Sequence, residues 1–200
     1  MRNKIIFING PPSSGKDTAG RILARTHNAR VYRMSRPLKQ ALAAFFIIDH
    51  FRMKDEVEPN KEVPDAEFGG LSWRQLQISF AETWAKPLLG HDILGRIAVA
   101  FLEQATSFKM TVTIDSGFRE ECLPVIQHAG TGNCLLIHLV RDGCTYEGDS
   151  RSYIELDDLG VTTIQLHNRY PLVPTDDMPL TYEMQLCSAV NGWLGVDDDD

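Results

Sequence analysis

Apolar residues fall along this chain in two rhythms. Short unbroken runs such as Lys4-Ile5-Ile6-Phe7-Ile8 read as buried strands, and stretches with apolar positions three and four apart read as amphipathic helices. The first rhythm predicts strands at 4–8, 30–34, 109–114, 134–140 and 161–166. The second predicts helices at 15–26, 35–47, 73–86, 93–106, 122–129 and 181–194. Punctuation supports these bounds. Ser35 suits an N-cap with Pro37 in the first turn behind it, Ser72 and Asp92 stand at two further helix starts, and Pro87 and Gly90 break the helix that precedes Asp92. Residues 49–70, with Pro59, Pro64, Gly69 and Gly70, form the one long irregular stretch, and a loop of that length in a compact domain is more often functional than decorative. Strands alternating with helices predict an α/β fold with parallel strands, whose ligands sit beyond the strand C-termini.

The first such terminus carries the most specific chemistry. Gly10 to Thr18 reads G-P-P-S-S-G-K-D-T, between a predicted strand and a predicted helix. Glycines at both ends let backbone N–H groups curl inward, the helix start aims its positive dipole end at the same point, and Lys16 adds a full charge. This is a phosphate-binding loop. It narrows the fold class to a three-layer P-loop NTPase fold, with a central parallel sheet flanked by helices and a short lid. Gly10, Ser13, Ser14, Gly15, Lys16, Asp17 and Thr18 would cradle a nucleoside triphosphate, making ATP the expected cofactor.

Composition narrows the classes further. Two hundred residues, 43% hydrophobic and 24% charged, suit one soluble domain. The expected layout is a single kinase-type domain over 1–196, with a helical acceptor-binding region at about 35–106, a lid at about 141–153 and an acidic tail at 197–200. No run is long enough for a bilayer span, and the N-terminus lacks the shape of a signal peptide. The four cysteines show no metal-ligand spacing and read as thiols in a reducing cytoplasm. A formal net charge of −7 argues against general nucleic-acid affinity. The charge is uneven, however: Lys16, Arg21, Arg25, Arg30, Arg33, Arg36 and Lys39 are opposed over that stretch by Asp17 alone. That segment suits gathering several phosphates, or equally a solvated helix face.

Further candidates lie at the other strand ends. Lys16 would follow negative charge from donor to acceptor. Asp17 stands where a Ser or Thr commonly meets magnesium. Thr18 is the nearest hydroxyl, so Thr18, Asp17 and Asp115 are the candidate Mg²⁺ residues, with Asp17 alternatively stabilising the first helical turn. Asp115 ends the predicted strand 109–114, where such enzymes place a carboxylate that organises the metal. Arg141 and Arg151 flank a glycine-containing segment that reads as a closing lid; they are candidate catalytic cations alongside Lys16, Asp17 and Asp115. Arg36, Lys39, Arg74, Arg96 and Arg119 are candidates for an anionic acceptor.

The chain also resembles the deoxynucleoside monophosphate kinases of tailed bacteriophages, a branch of the adenylate-kinase-like P-loop kinases. The resemblance rests on Ser14-Gly15-Lys16-Asp17-Thr18, Ser35-Arg36-Pro37-Leu38-Lys39-Gln40-Ala41-Leu42 and Ser72-Trp73-Arg74-Gln75-Leu76-Gln77. It continues through His91-Asp92-Ile93-Leu94, Ile114-Asp115-Ser116-Gly117-Phe118-Arg119-Glu120-Glu121, Leu139-Val140-Arg141 and Asn168. It implies transfer of phosphate from ATP, with magnesium, to a deoxynucleoside monophosphate, in the cytoplasm of the infected host if the chain is phage-encoded. It implies further that Arg36 and Lys39 bind the acceptor phosphate and that Asn168 lies near the donor base. Many relatives carry Asp-x-Arg-Phe after the central strand; here Gly117 replaces that arginine, and Arg119 is the nearest substitute. Phage P-loop kinases acting on a hydroxymethylated pyrimidine in DNA look related too. A DNA-borne acceptor is therefore an alternative, a nucleotide-binding regulatory module without kinase activity is another, and the oligomeric state stays open.

Overall fold

The computed structural model describes residues 3–104, 107–149, 151–169 and 181–196; the acidic tail at 197–200, Ser150 of the expected lid and the last two residues of the helix predicted to end at 106 lie outside them. Five strands form the sheet: β1 (Lys4–Asn9), β2 (Arg30–Tyr32), β3 (Met110–Thr113), β4 (Cys134–Val140) and β5 (Thr162–His167). All pair in parallel, in the order β2-β3-β1-β4-β5. The chain leaves β1 for one edge of the sheet, returns through β3, then crosses to β4 and β5. The C-terminal end of β1 therefore lies at the switch point where α/β sheets open a crevice for ligands.

The strand period of two explains the layers. Ile6 and Ile8 join a cluster with Ala19, Ile22 and Leu23 of α1 (Lys16–Thr26) and with Leu186 and Val190 of α8 (Tyr182–Leu194). Ile5 and Phe7 join the opposite cluster, with Ala98 and Leu102 of α6 (Ile93–Gln104) and Cys122, Val125 and Ile126 of α7 (Arg119–Ala129). All four β1 side chains are fully buried, each contributing about 1.5–3 kcal/mol. The result is helix, sheet and helix in three layers. Among the described residues no helix is long and apolar enough to cross a membrane.

A helical segment between β2 and β3 builds a small core of its own. It contains α2 (Arg36–Phe45), α3 (His50–Arg52), α4 (Trp73–Ser79) and α5 (Lys86–Leu89), and Leu42, Ile48, Val57, Phe68 and Trp73 pack together within it. The stretch 49–70 is less irregular than its composition predicts. Asp49 caps α3 through the Arg52 N–H at 2.8 Å, and the chain continues through a π-helical turn at Met53–Val57. Pro87 does not end the helix predicted over 73–86, since helical turns run on to Leu89. A second π-helical turn, Phe80–Ala85, precedes it, and Pro87 sits in the first turn of α5, where a missing N–H costs little.

Two other bounds shift for local reasons. β2 stops at Tyr32, before the predicted 34, because the Met34 and Ser35 amides turn to the Asp115 carboxylate. Ser35 itself makes no side-chain cap to α2, since its hydroxyl also donates to Asp115. α7 begins three residues earlier than predicted, with Glu120 and Glu121 in its first turn favourable to the helix dipole. The helical segment is tied to α7 by Lys86, whose Nζ lies 2.7 Å from Glu82, 3.7 Å from the buried Glu121 and 3.7 Å from the Phe118 ring centroid. Burial pushes the Glu121 carboxyl up to about 7 in spite of Lys86.

Candidate active site

β1 delivers the chain at Gly10 into a loop that ends where α1 begins at Lys16. Both flanking glycines are required sterically. Gly15 has φ +103°, and a Cβ there would lie 2.4 Å from Asn168 Nδ2; a Cβ on Gly10 would lie 2.8 Å from the Leu139 carbonyl oxygen. Ser13 also takes a left-handed φ of 62°. The loop is held from outside by its carbonyls. Asn168 Nδ2 donates to the Ser14 oxygen at 2.9 Å, and Arg141 Nη1 donates to the Ser13 oxygen at 2.9 Å. Asn168 is itself buried and anchored through its own N–H to Val140, so its amide braces the loop. Ser14 is fully buried, and its hydroxyl finds no partner among the described residues. The first N–H groups of α1 have no intrahelical acceptors and are open to an anion.

Lys16 folds back over this loop, its Nζ donating to the Gly10 and Pro11 carbonyl oxygens at 2.5 Å each. Burial, then the positive charge of Arg151, lowers its pKa to about 8, while Asp17, Asp149 and Asp115 act in the other direction. The same charges that Lys16 senses are those brought to the loop. Asp17 leans outward into an ion pair with Arg33, and the Thr18 hydroxyl accepts from Arg21 at 3.3 Å. Asp115 accepts from the Met34 N–H at 2.6 Å, the Ser35 N–H at 3.1 Å and the Ser35 hydroxyl at 2.6 Å, fixing the entry to α2.

The segment that begins at Arg141 covers the loop's other side. Arg151 grips Asp149 with two bonds, Nε to Oδ1 at 2.8 Å and Nη2 to Oδ2 at 2.5 Å. That guanidinium holds the Asp149 carboxyl below the usual range, and the charge of Arg74 adds to the effect. The Arg151 side chain runs across Gly117, where a Cβ would stand 2.4 Å from Arg151 Cδ. Gly117 is thus the notch that Arg151 fills, and Arg151, rather than Arg119, occupies the space a side chain at 117 would take.

The acceptor candidates divide. Lys39 pairs with Glu58 at 2.5 Å and Arg74 with Glu62 at 2.5 Å, both in the helical segment, and Arg36 is exposed at the start of α2. Two others are engaged elsewhere. Arg119 forms a two-pronged pair with Asp158 at 2.7 and 2.6 Å and also donates to the Glu155 carbonyl, and Arg96 bonds to Asp92 and the Leu89 carbonyl. In the same helical segment, residues 52–73 line a cavity of about 420 Å³, with Arg52, Asn60, Asp65, Phe68 and Trp73 among its walls. Trp73 is 1% exposed and its indole N–H has no partner.

Among the described residues no group of three His, Cys, Asp or Glu side chains could hold a metal alone. Magnesium is commonly held by one or two carboxylates plus substrate phosphates, and the three candidates are each engaged with protein groups: Asp115 with Met34 and Ser35, Asp17 with Arg33 and Thr18 with Arg21. Thr18 and Asp115 would hold it only by exchanging those partners for the metal. Sequence reasoning missed Asn9 and Asp149. Asn9 had a signal, a polar residue closing an apolar strand; Asp149 had none beyond its place two residues before Arg151.

Neither a family model nor a curated protein sequence matches the chain. Among solved structures it is similar to TT1252 from Thermus thermophilus, at 15% identity over 97% of this chain and 99% of that one, with a TM-score of 0.51. It is also similar to a protein from Chloroflexus aurantiacus provisionally named a kinase, at 13% identity over 98% and 100% of the two chains, with a TM-score of 0.50. At such identities the likeness is one of fold. The parallel five-stranded sheet, its flanking helices and the loop after β1 define an α/β P-loop fold.

Proposed function

We propose that this protein is a magnesium-dependent phosphotransferase that moves the γ-phosphoryl group of ATP onto a deoxynucleoside monophosphate. The observation that carries the reading is Lys16. It is a partly buried ammonium resting on the Gly10 and Pro11 carbonyls of a loop whose Ser13 and Ser14 carbonyls are held by Arg141 and Asn168, with the charge of Arg151 nearby. Such an arrangement, in which no carboxylate among the described residues pairs with the lysine, fits an arriving polyphosphate.

In this reading the loop and the start of α1 bind the donor's β- and γ-phosphates, and Lys16 follows the γ-phosphoryl as charge shifts. Magnesium, when bound, would neutralise charge on the donor phosphates. Arg36, Lys39 and Arg74 receive the acceptor monophosphate, and the cavity lined by Phe68 and Trp73 receives its base. An acceptor phosphate oxygen attacks the γ-phosphorus, the bond from that phosphorus to the β-bridging oxygen breaks, and ADP leaves. The acceptor oxygen is already anionic, so no general base is needed. Arg151 and Arg141 stabilise the equatorial charge, and the lid excludes water as a rival acceptor.

Incubation with ATP, magnesium and each deoxynucleoside monophosphate tests this, with diphosphate read by anion-exchange chromatography. The expected result is diphosphate from at least one acceptor, with turnover lowered by orders of magnitude in Lys16→Ala while the fold persists. ATP binding without any diphosphate product would replace the reading by that of a nucleotide-binding module.

A further inference from the structure

Asn9 is the last residue of β1 and the residue immediately ahead of the loop's first glycine, and its side chain is 1% exposed. Its carboxamide bonds to three separate stretches of chain. The two Nδ2 hydrogens are shared among the Ser116 carbonyl at 2.7 Å, the Tyr146 hydroxyl oxygen at 3.0 Å and the Ser152 carbonyl at 3.1 Å, and Oδ1 accepts from the Ile154 N–H at 3.2 Å. Ser116 follows β3 and is fixed in turn through its hydroxyl to Thr113 at 2.6 Å. Tyr146, Ser152 and Ile154 belong to the lid and its continuation.

These partners bracket the cation at issue. Ser152 is the neighbour of Arg151, and Ser116 is the neighbour of Gly117, the notch over which the Arg151 side chain runs. One amide therefore fixes both the floor beneath Arg151 and the backbone that carries it, from a point one residue away from the phosphate loop. Tyr146 stands against Tyr153 edge-on at 5.2 Å between centroids, and Tyr153 packs on His138 and donates to the Leu139 carbonyl, so the lid's base is packed as well as bonded. We infer that Asn9 is the positioning residue that couples the phosphate loop to the lid and sets Arg151 against Lys16.

Only a primary amide meets this demand. A carboxylate at position 9 would face the Ser116 and Ser152 carbonyl oxygens with no donor, and an apolar side chain would leave two carbonyls and an N–H buried without partners. A misplacement of Arg151 by about 1 Å is enough to cost about a hundredfold in rate.

The inference rests on the phosphotransferase reading only for what Arg151 does, so its test has a readout that needs no turnover. Asn9→Ala is expected to raise amide hydrogen exchange in residues 145–154 and to lower kcat by about 10- to 100-fold, with the KM for ATP changed far less. In an Arg151→Ala background the same substitution is expected to leave kcat where Arg151→Ala alone puts it, because the residue it aims is gone. Should Asn9→Ala fail to fold, Tyr146→Phe removes one bond of the hub and keeps the ring. It is expected to lower kcat about two- to tenfold, and again not in the Arg151→Ala background. Unchanged exchange in 145–154, or losses that multiply independently with Arg151→Ala, would overturn the inference. A wild-type protein inert toward every acceptor would sink the proposed function, and the exchange measurement would still judge Asn9.

Discussion

Among the described residues, no carboxylate lies within ion-pair distance of Lys16, whose ammonium bonds to the carbonyl oxygens of Gly10 and Pro11. Burial and Arg151 therefore win, and the ammonium titrates at about 8 rather than at its usual 10.5. ATP would reverse that balance by bringing negative charge to the same atom, raising the lysine's pKa in the complex. The consequence has a definite sign. Binding takes up no proton below about pH 8 and takes one up above it, so ATP affinity should be level from pH 6.5 to 8 and then weaken by up to about tenfold per unit. Calorimetric titrations across pH 6.5–9.5 check this, with Lys16→Arg as the control that moves the transition out of range. A level profile throughout would mean that Lys16 does not touch the phosphates. The loop itself was legible because its chemistry is local, nine residues whose spacing specifies the turn. The partners of Asp115 were not, because Met34 and Ser35 reach it only through the pairing of β2 with β3, about eighty residues apart in sequence. Gly117 shows the same limit: its loss of a side chain reads as a missing arginine until Arg151 is seen lying across it.

The elements were legible in proportion to how far burial alone decides them. β1 and β4 lie at the centre of the sheet and are buried nearly throughout, and their apolar runs marked them to within a residue or so. The segment from Asp49 to Gly90 was harder, because its two π-helical turns carry no period of their own: the first packs Val57 with Phe68 and Trp73, the second packs Ala81 and Ala85 with Leu38 and Leu94. The closest helix contact was also invisible. Gly95 of α6 lies against α7 so tightly that a Cβ would stand 2.1 Å from the Glu121 carbonyl oxygen and 2.9 Å from its carbon. Backbone cannot step aside as a flexible side chain can. Gly95→Ala should therefore push α6 off α7 and cost about 1–3 kcal/mol, in spite of alanine's better helix propensity. In a chain of this length that is a fall in Tm of about 2–12 °C by differential scanning calorimetry. An unchanged or raised Tm would show that the helices are not in this register. α7 opens beside the Ser116–Gly117 floor, so the same substitution tests how firmly the site's frame is held.

At the scale of the whole molecule, what separates a small anionic acceptor from a DNA-borne one is whether the basic segment is free. Its charges are largely answered from within. Arg25 pairs with Glu183 at 2.6 Å, Arg33 with Asp17 and Lys39 with Glu58, Arg21 bonds to the Asp17 carbonyl and Thr18, and the Arg30 guanidinium sits 3.9 Å from the Phe101 ring centroid. Arg36 is left exposed and in no ion pair among the described residues. On the proposed function, charges so occupied would leave partners for one or two phosphates, as a monophosphate acceptor needs, rather than for a duplex backbone. The chain's net charge of −7 opposes close approach of DNA besides. Each phosphate neutralised contributes about −0.9 to the slope of log affinity against log salt. Duplex DNA titrated between 50 and 200 mM salt is expected to show weak binding with a slope no steeper than about −2. A slope beyond about −4 would mean that four or more cations leave their internal partners for the backbone. Those cations include the ones assigned here to the acceptor phosphate, so that result would transfer the acceptor from free nucleotide to DNA while leaving the donor loop's assignment intact.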